Sequence, residues 1–444
     1  MTQTTPDNTL YDVVIVGGGV CGTALLYSLS KYTNVDKIAL IEKNADVALV
    51  NSKQSSNSQT LHFGDIETNY SLEKAERVNR AAMMVKNYLL KHDVAGEMHT
   101  LYHKMVLAIG EAEARFIKER YEKFKTLFPA LRIVDKAELL EIEPKVVEGR
   151  GEEEMIALFT PDGYTIDFQK LSQSFVKNAT KDTNKSIEMM TNRRVKSIEP
   201  AGNLYRIEVN DRAILAKAVA VTSGAHSLLF AKRLGYGQDY ALLSAAGSFY
   251  FAPALLKGKV YMVQMKKLPF AAIHGDPEVH DANQTRFGPT AKVLPMLERH
   301  RYGTVLEYFK TAGLSWDALM SFLAIAADFT ILWYLIMNFI YDLPIIGKLF
   351  FVHKVRKIVP SVKLSELSYA KGYGGIRPQI VNLKSRKMEL GQAKISGKNI
   401  LFNITPSPGA STCLKSAEDD TKQLVDFLGE DYWFDQERFS ADLA

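Results

Sequence analysis

The 444-residue sequence is poor in cysteine, with two residues, Cys21 and Cys413, at opposite ends of the chain. Their separation fits neither a metal-ligand motif nor a disulfide framework, and we expect no metal site. The scarcity of cysteine predicts a reducing compartment. The chain also has no internal repeat and no low-complexity segment, and its composition excludes a fibrous or disordered protein.

Neither the basic nor the acidic residues are clustered in one part of the sequence. Lys and Arg number 55 against 50 for Asp and Glu, and the acids are interspersed with the bases. Without a basic block the chain has no phosphate-tracking patch, so we expect no nucleic-acid partner. The small positive excess is compatible with small anionic substrates or with an acidic membrane surface.

The sequence has no pattern typical of a secretion signal. Its opening residues, MTQTTPDNTLYDVVIVGGG, carry no Lys or Arg before the first apolar run, and that run ends in glycines instead of a small-residue cleavage site. This argues against a signal peptide, and we expect a cytoplasmic chain that begins to fold near Tyr11. The length predicts two or three domains.

The N-terminal segment has the pattern of a βαβ unit. Residues 11–16 predict a buried strand, residues 20–31 a helix packed on a sheet, and residues 37–42 a second parallel strand. Further helices are expected at 72–92, at 111–128 and within 290–358, and further strands within 187–222, within 244–290 and before a C-terminal turn and helix. This order of elements predicts an α/β fold.

A glycine motif joins the first strand to its helix. Gly17, Gly19 and Gly22 form GxGxxG, and Glu42 ends the second strand 20 residues after Gly22. The glycines permit a tight turn, close approach of backbone N–H groups to a pyrophosphate, and helix–strand packing. Glu42 suits a ribose diol and argues against the 2′-phosphate of NADP. An ordinary glycine-rich turn is the alternative reading of the motif alone.

Two further segments decide between FAD and NAD. The turn TPSPGAST at 405–412 precedes the C-terminal helix and places Pro408, Gly409, Ala410 and Ser411 where backbone donors could meet a flavin or its ribityl-phosphate arm. Taken alone, this turn is more simply a helix cap. Residues 218–225 (AVAVTSGA) add another apolar strand that ends in Gly224. Three glycine-marked strand ends spread over the chain favour FAD lying extended.

Several motifs in this order resemble those of the malate:quinone oxidoreductase family, within the D-amino-acid oxidase-like FAD superfamily. They are GGGVCG at the N-terminus, NSQTLHFGDIETNY at 57–70, LPFAAIHGDPEV at 268–279, TRFGPTAK at 285–292, GYGGIRPQI at 372–380 and NITPSPGAST at 403–412. The resemblance extends from about Tyr11 to Gly429. L-2-hydroxyglutarate oxidases of the same superfamily carry similar segments, so a related 2-hydroxy or amino acid oxidase that uses oxygen or quinone is the alternative.

The resemblance implies an FAD enzyme that oxidises L-malate to oxaloacetate and passes electrons to membrane quinone. It implies a Rossmann-like FAD-binding domain interleaved with a substrate domain that contains a mixed β-sheet. We expect the first domain to comprise residues 1–95, 160–240 and 359–444, and the second to comprise residues 96–159 and 241–358.

Malate has two carboxylates, which call for cationic anchors. Arg377, in GGIRPQI, is flanked by glycines and followed by Pro378, and a guanidinium suits a planar carboxylate. Alone, an Arg-Pro pair is usually a surface feature, but the resemblance places the superfamily's carboxylate-binding arginine here. Arg286, in TRFGPTA, is the candidate for the second anchor, with a surface salt bridge as the alternative.

Oxidation of a 2-hydroxy acid also requires a base for the hydroxyl proton. His274, in PFAAIHGDP, follows an apolar run and is the first candidate, because histidine titrates near neutrality. A satisfied structural histidine is the alternative. His62, in LHFG, is the rival, because the resemblance places this segment beside the flavin.

One long apolar stretch stands out, at 318–341, interrupted by Ser321, Asp328, Thr330 and Asn338. It is long enough to span a bilayer, but Asp328 lies in its middle, and a single span would separate Arg286 from Arg377. Two interpretations remain, a buried or oligomeric helix and a surface that docks peripherally on the cytoplasmic membrane. Docking would use Trp333 and Tyr334 together with the basic residues Lys348, Lys354, Arg356 and Lys357.

Overall fold

The computed structural model describes residues 9–181, 183–210, 212–264, 273–312, 316–389, 393–404 and 408–444. Its strands are β1 (Leu10–Val16), β2 (Lys37–Ile41), β3 (His99–Ile109), β4 (Arg132–Asp135), β5 (Met155–Ile166), β6 (Ser186–Met190), β7 (Val195–Ala201), β8 (Leu204–Val209), β9 (Arg212–Val221), β10 (Tyr240–Ala246), β11 (Tyr250–Pro253), β12 (Lys259–Met262), β13 (His274–Glu278), β14 (Asp281–Gly288), β15 (Lys292–Val293), β16 (Ser368–Tyr369), β17 (Ile376–Asn382), β18 (Lys387–Glu389), β19 (Ala393–Gly397) and β20 (Ile400–Ile404).

Its helices are α1 (Val20–Tyr32), α2 (Leu72–His92), α3 (Glu111–Phe124), α4 (Lys136–Ile142), α5 (Pro144–Val147), α6 (Phe168–Thr180), α7 (His226–Arg233), α8 (Val305–Ala312), α9 (Trp316–Ala326), α10 (Phe329–Tyr341), α11 (Ile346–Ile358), α12 (Cys413–Leu428) and α13 (Gln436–Leu443). The predicted βαβ unit is confirmed to within one residue at each boundary, and α2 has the predicted bounds. Helix α3 is four residues shorter than expected. The region from 290 begins with strand β15 and becomes helical at α8.

The first sheet has the strand order β19-β20-β9-β1-β2-β6. The five strands from β20 to β6 are mutually parallel, and a β7–β8 hairpin pairs with β9. Six of the seven residues of β1 are buried because both faces of the sheet are covered. Val13 and Ile15 pack towards α1, α6 and α12, while Val14 and Val16 pack towards β7, β8 and α7.

Two further sheets complete the α/β fold that the sequence predicts. The larger has the order β16-β11-β14-β13-β12-β3-β5-β4 and is mixed, since β12 runs parallel to β3 while the other pairs are antiparallel. The small sheet, β15-β10-β17-β18, is antiparallel. The expected domain boundaries remain a prediction. The boundary at 159/160 lies inside β5, and the pairing of β10 with β17 joins residues that were assigned to different domains.

Asp328 divides the long apolar stretch into two helices. Its carboxylate accepts hydrogen bonds from the backbone N–H groups of Thr330 and Ile331, at 2.9 and 3.3 Å, and so caps α10. Helices α9 and α10 meet at a bend of 91°. In the described ranges, no single helix is both long enough and apolar enough to cross a bilayer. Only when α9 and α10 are taken together is a helical segment of these ranges long and apolar enough.

Candidate active site

A cavity of about 650 Å³ lies at the carboxyl ends of the central parallel strands. Its wall includes Val16 at the end of β1 and Thr222 just after β9, which is where ligands bind in open parallel sheets. Nearly every residue predicted to hold the cofactor lies in this wall: Gly17, Gly19, Glu42, Gly224, Pro408, Gly409, Ala410 and Ser411.

The glycine turn has the close packing that the motif predicts. Gly17 has a φ of +111°, and a Cβ there would lie 2.9 Å from the carbonyl oxygen of Thr222. Gly22 is behind the cavity wall, where an added Cβ would lie 2.0 Å from the Gly17 oxygen. Gly19 precedes α1 and has no side chain to cap it, so the helix N-terminus faces the cavity. These features fit the pyrophosphate of a dinucleotide.

Glu42 is held rigidly beside this turn. Its Oε2 accepts from the Gly18 N–H at 2.9 Å, and its Oε1 accepts from the Asn44 backbone N–H at 2.9 Å. Oε1 also accepts from the Asn44 Nδ2 at 2.6 Å, whereas Oε2 has a further lone pair, so the side chain can still receive a ribose hydroxyl. The placement agrees with the role predicted for Glu42.

The C-terminal turn adjoins the same cavity from the opposite side. The Ser411 hydroxyl accepts from the His62 backbone N–H at 2.9 Å, which ties the turn to the segment that carries His62. Gly224 lines the wall with a φ of +58°. The first three residues of the predicted turn, 405–407, lie outside the described residues.

A polar loop that sequence reasoning left without a role also lines the cavity. Asn51, Ser52, Asn57 and Ser58 follow β2 and face the space between the glycine turn and β17. The Asn51 Oδ1 accepts from the Ile376 backbone N–H at 3.1 Å and thereby joins this loop to β17. The Ser/Asn-rich composition of residues 51–58, in the loop that follows a parallel strand, was the available signal.

Arg377, on β17, lies in the cavity wall next to Gly375 and Ile376. Burial lowers the pKa of its guanidinium, and the phenols of Tyr334 and Tyr261 are the groups that interact with it electrostatically. Among the described residues no carboxylate forms an ion pair with Arg377. A partly desolvated cation at a cavity wall, with no ion-pair partner in the part of the chain that the structure describes, suits an anionic ligand.

His62 lines the cavity together with Arg377, and a carboxylate holds its ring. Its Nδ1 lies 2.6 Å from the Oε1 of Glu67, and both side chains are nearly buried, 13% and 10% exposed. Burial acts to raise the pKa of Glu67, but the hydrogen bond with His62, together with the nearby charge of Lys104, lowers the pKa to about 2. With Nδ1 bonded to a carboxylate, Nε2 is left as the acceptor atom of the imidazole.

Comparison with known proteins decides the family. The model of the family described as malate:quinone oxidoreductase (Mqo) matches residues 9–419. A probable malate:quinone oxidoreductase of Campylobacter jejuni is 43% identical over 98% of this chain and 99% of its own, and the malate:quinone oxidoreductase of Helicobacter pylori strain 26695 is 41% identical over 98% of each. This chain belongs to the malate:quinone oxidoreductase family. The resemblance predicted from the motifs is confirmed.

More distant relatives agree with the fold. The human mitochondrial L-2-hydroxyglutarate dehydrogenase is 23% identical over 91% of this chain and 86% of its own. Among solved structures, an L-α-glycerophosphate oxidase from Mycoplasma pneumoniae, described with FAD bound, has a TM-score of 0.64 at 16% identity, covering 94% of each chain. A glycine oxidase from Geobacillus kaustophilus has a TM-score of 0.63 at 18% identity, covering 95% of this chain and 98% of its own.

In this malate:quinone oxidoreductase family member, His274 lies behind the residues that line the cavity. It begins β13, is 1% exposed, and stacks on Tyr261 with ring centroids 4.3 Å apart. The Tyr261 hydroxyl lies 3.0 Å from the Thr60 Oγ1, and Thr60 is in the cavity wall. Most of the apolar run predicted before His274, residues 268–272, lies outside the described residues.

Arg286 lies near the end of β14, as predicted, but its guanidinium is already engaged. Its Nη2 is 2.9 Å from the Oδ2 of Asp276, and its two Nη atoms donate to the backbone oxygens of Asn57 and Ser58 at 3.2 and 3.1 Å. Arg286 and Asp276 are both fully buried. The ion pair of Arg286 therefore lies in the interior and not at the surface, and Arg286 does not line the cavity.

Lys259 completes this buried cluster. Its Nζ is 3.0 Å from the Asp276 Oδ2 and donates to the Thr60 Oγ1 at 3.1 Å. Burial lowers the pKa of Lys259 to about 8, and the Asp276 charge opposes that shift. Two cations thus share one carboxylate directly behind the cavity wall.

The apolar stretch exposes its hydrophobic side chains. Its polar members Ser321 and Asn338 are buried, at 0% and 2% exposed, whereas Trp333 is 55% exposed. We call the exposed apolar side chains on and beside α8–α11 the apolar face. Its members are Tyr302, Leu306, Phe309, Trp316, Leu319, Leu323, Phe329, Leu332, Trp333, Ile336, Phe339, Ile345, Ile346, Leu349 and Phe350.

Proposed function

We propose that the protein oxidises L-malate to oxaloacetate with FAD and passes the electrons to a quinone. The observation that carries this proposal is Arg377, a partly buried guanidinium with no carboxylate partner in the described residues, in the wall of a dinucleotide cavity that His62 also lines. Membership of the malate:quinone oxidoreductase family supports the choice of substrate and acceptor.

Each side chain then has a defined task. FAD, when bound, accepts the hydrogen at C2 of malate together with two electrons. Arg377 holds a malate carboxylate, and His62 accepts the hydroxyl proton at Nε2 while Glu67 fixes its ring through Nδ1. The glycine turn, Glu42, Gly224 and the turn at 408–411 hold the cofactor.

We assign His274 and Arg286 to supporting roles. The ring of His274 packs against Tyr261, whose phenol interacts with Arg377. Arg286 holds the carbonyl groups of Asn57 and Ser58, two residues of the cavity wall, and so positions the polar loop. Neither residue is needed in contact with malate for this scheme.

The test of the reaction is anaerobic bleaching of the purified flavoprotein. L-malate should bleach the flavin, and a soluble quinone should then restore its colour. D-malate and L-2-hydroxyglutarate are the comparison substrates. Bleaching by L-2-hydroxyglutarate in preference to L-malate would assign the protein to the alternative activity, and no bleaching by L-malate would refute the proposal.

The test of the base compares two substitutions of the same kind. His62→Asn should slow flavin reduction by malate by about 10²-fold or more, because general-base catalysis contributes about that much. His274→Asn should retain most of the rate if its flavin content is normal. A His62→Asn enzyme that reduces its flavin at the wild-type rate would contradict the assignment.

We further propose that the apolar face docks on the lipid surface of the membrane, on its cytoplasmic side. Among the described residues from 302 to 350, fifteen large apolar side chains are exposed, far more than water-facing helices usually present together. The acceptor of this family, a quinone, supports lipid as the occupant. Lys348 and Lys354 lie on α11 beside this face and can meet anionic headgroups, whereas Lys357 is paired with Glu113 at 2.6 Å.

Flotation with vesicles tests the docking. The holoenzyme should float with vesicles that contain anionic lipid, and the double variant Trp333→Glu/Phe339→Glu should float less while still oxidising malate with a soluble quinone. Leu90→Glu/Leu140→Glu, at exposed positions elsewhere, is the matched control. Self-association of the wild type with no flotation would instead identify the face as an interface between copies.

A further inference from the structure

Helix α10 lies across the small sheet and is fastened to it by Asn338. The Oδ1 of this residue accepts from the Ala291 backbone N–H at 2.8 Å, and its Nδ2 donates to the Tyr334 backbone oxygen at 2.8 Å. The partly buried side chains of Tyr334 and Leu335 pack against the cluster that Ala245 and Ala291 form. Tyr334 therefore points inward from a helix whose opposite side belongs to the apolar face, although the sequence placed it at the membrane interface.

The register of the small sheet puts Arg377 under the same helix. Ala245 of β10 is directly opposite Arg377 of β17, and directly opposite residues of antiparallel strands share one face of a sheet. The next pair, Ala246 and Ile376, lies on the other face and packs with Met296. Ala241, Leu243 and Val381, on the same face as Ala245, pack against α9 and Ile331 of α10. The side chain of Arg377 therefore leaves the sheet on the side that α9 and α10 cover.

The phenol of Tyr334 and the guanidinium of Arg377 are accordingly close enough to interact electrostatically. Burial raises the pKa of Tyr334, and this outweighs the opposing effects of the Arg377 charge and of a hydrogen bond with the Asn338 side chain. The phenol therefore stays protonated at neutral pH and can donate a hydrogen bond. A carboxylate bound to Arg377 has lone pairs left to accept one.

We propose that the Tyr334 hydroxyl donates a hydrogen bond to the substrate carboxylate that Arg377 binds. This inference rests on the proposed function and adds a substrate-binding residue to it. The residue is supplied by a helix of the apolar face, so one helix contacts the substrate on its inner side and the membrane on its outer side.

Tyr334→Phe tests the contact because it removes one hydroxyl and keeps the ring. The matched control is Tyr240→Phe, which makes the same change at the other end of β10, opposite Asn382. Holoenzymes are compared by the KM and kcat for L-malate with a soluble quinone, and by the Kd for malonate, an unreactive dicarboxylate, from the change in the flavin spectrum.

We expect Tyr334→Phe to raise both the KM for malate and the Kd for malonate about tenfold, as the loss of a hydrogen bond to a charged group does. Its kcat should change less than about threefold, which separates binding from a general loss of structure. Tyr240→Phe should match the wild type.

Unchanged KM and Kd in Tyr334→Phe would overturn the inference, as would loss of FAD from this variant, which would make Tyr334 a structural residue of the cavity. A wild-type enzyme that malate does not reduce would instead refute the proposed function. In that case the malonate titration still decides whether Tyr334 contributes to a carboxylate site.

Discussion

The buried cluster of Lys259, Asp276 and Arg286 gives a sharp stability prediction. All three side chains are at most 1% exposed, and the Asp276 Oδ2 lies 3.0 Å from Lys259 and 2.9 Å from Arg286. Asp276→Asn keeps the volume but leaves two buried cations without their counter-ion. Removing one partner from a buried pair costs about 3–5 kcal/mol, which is a large part of the roughly 5–15 kcal/mol that stabilises a folded protein.

The control is Asp239→Asn, since Asp239 forms an ion pair with Lys384 at 2.8 Å in which both side chains are more than half exposed. Exposed pairs of this kind contribute about 0–1 kcal/mol. Urea titrations at pH 7 should therefore give a much larger drop in the free energy of unfolding for Asp276→Asn than for the control. Equal losses in the two variants would refute the reasoning.

The pH dependence of the same variant adds a second check. Without the Asp276 charge, the pKa of buried Lys259 should fall further below its unfolded-state value. The unfolded chain then binds more protons than the folded chain, so the stability of Asp276→Asn should recover as the pH is raised towards 9. A loss that is constant from pH 7 to pH 9 would mean that Lys259 does not lose its charge.

Three other outcomes follow from the site. Gly22→Ala should abolish FAD binding, measured as flavin absorbance of the purified protein, because the new Cβ would lie 2.0 Å from the Gly17 oxygen; normal flavin content would contradict this packing. Glu67→Gln should slow flavin reduction by malate by about 10-fold or more, since the ring of His62 loses the carboxylate that orients it; an unchanged rate would leave Glu67 without a catalytic role. Because the folded-state pKa of Glu67 and that of Asp276 are both lowered to about 2, their stabilising contributions are present at neutral pH and decline as the pH falls from about 5 towards 2, which urea titrations at several pH values can follow; stability that rises over this range would contradict both assignments.

Features formed by residues that are close together in the sequence were predictable from it. The glycine turn, α1 and β2 form one contiguous unit, so their spacing determines their structure, and Glu42 follows from the end of β2. The two histidines and Arg377 stood out because of motif resemblance. Without the resemblance, a structural role would have been a plausible explanation for each of these three residues.

Contacts between distant segments were not predictable in the same way. Glu67 reaches His62 across an irregular loop. Tyr334 comes to lie on the side of the small sheet from which Arg377 projects because β10 pairs with β17 while α10 packs on β15. The pairing of Asp276 with Arg286 had a weak signal, since both belong to short segments around a turn and become cross-strand neighbours in the β13–β14 hairpin. Recognising it would have removed Arg286 from the candidates for malate binding.

The apolar stretch reverses the usual polarity of a surface helix, and this bears on how the enzyme meets its two substrates. A water-facing helix turns its apolar side to the core, whereas here Asn338 is buried and Trp333 and Phe339 are exposed. The buried polar groups are satisfied by the protein, with Asn338 bonded to Ala291 and Ser321 bonded to the Asp317 carbonyl. Because the inner side of α10 covers Arg377, docking of its outer side would place the malate site directly beneath the lipid surface in which the electron acceptor dissolves.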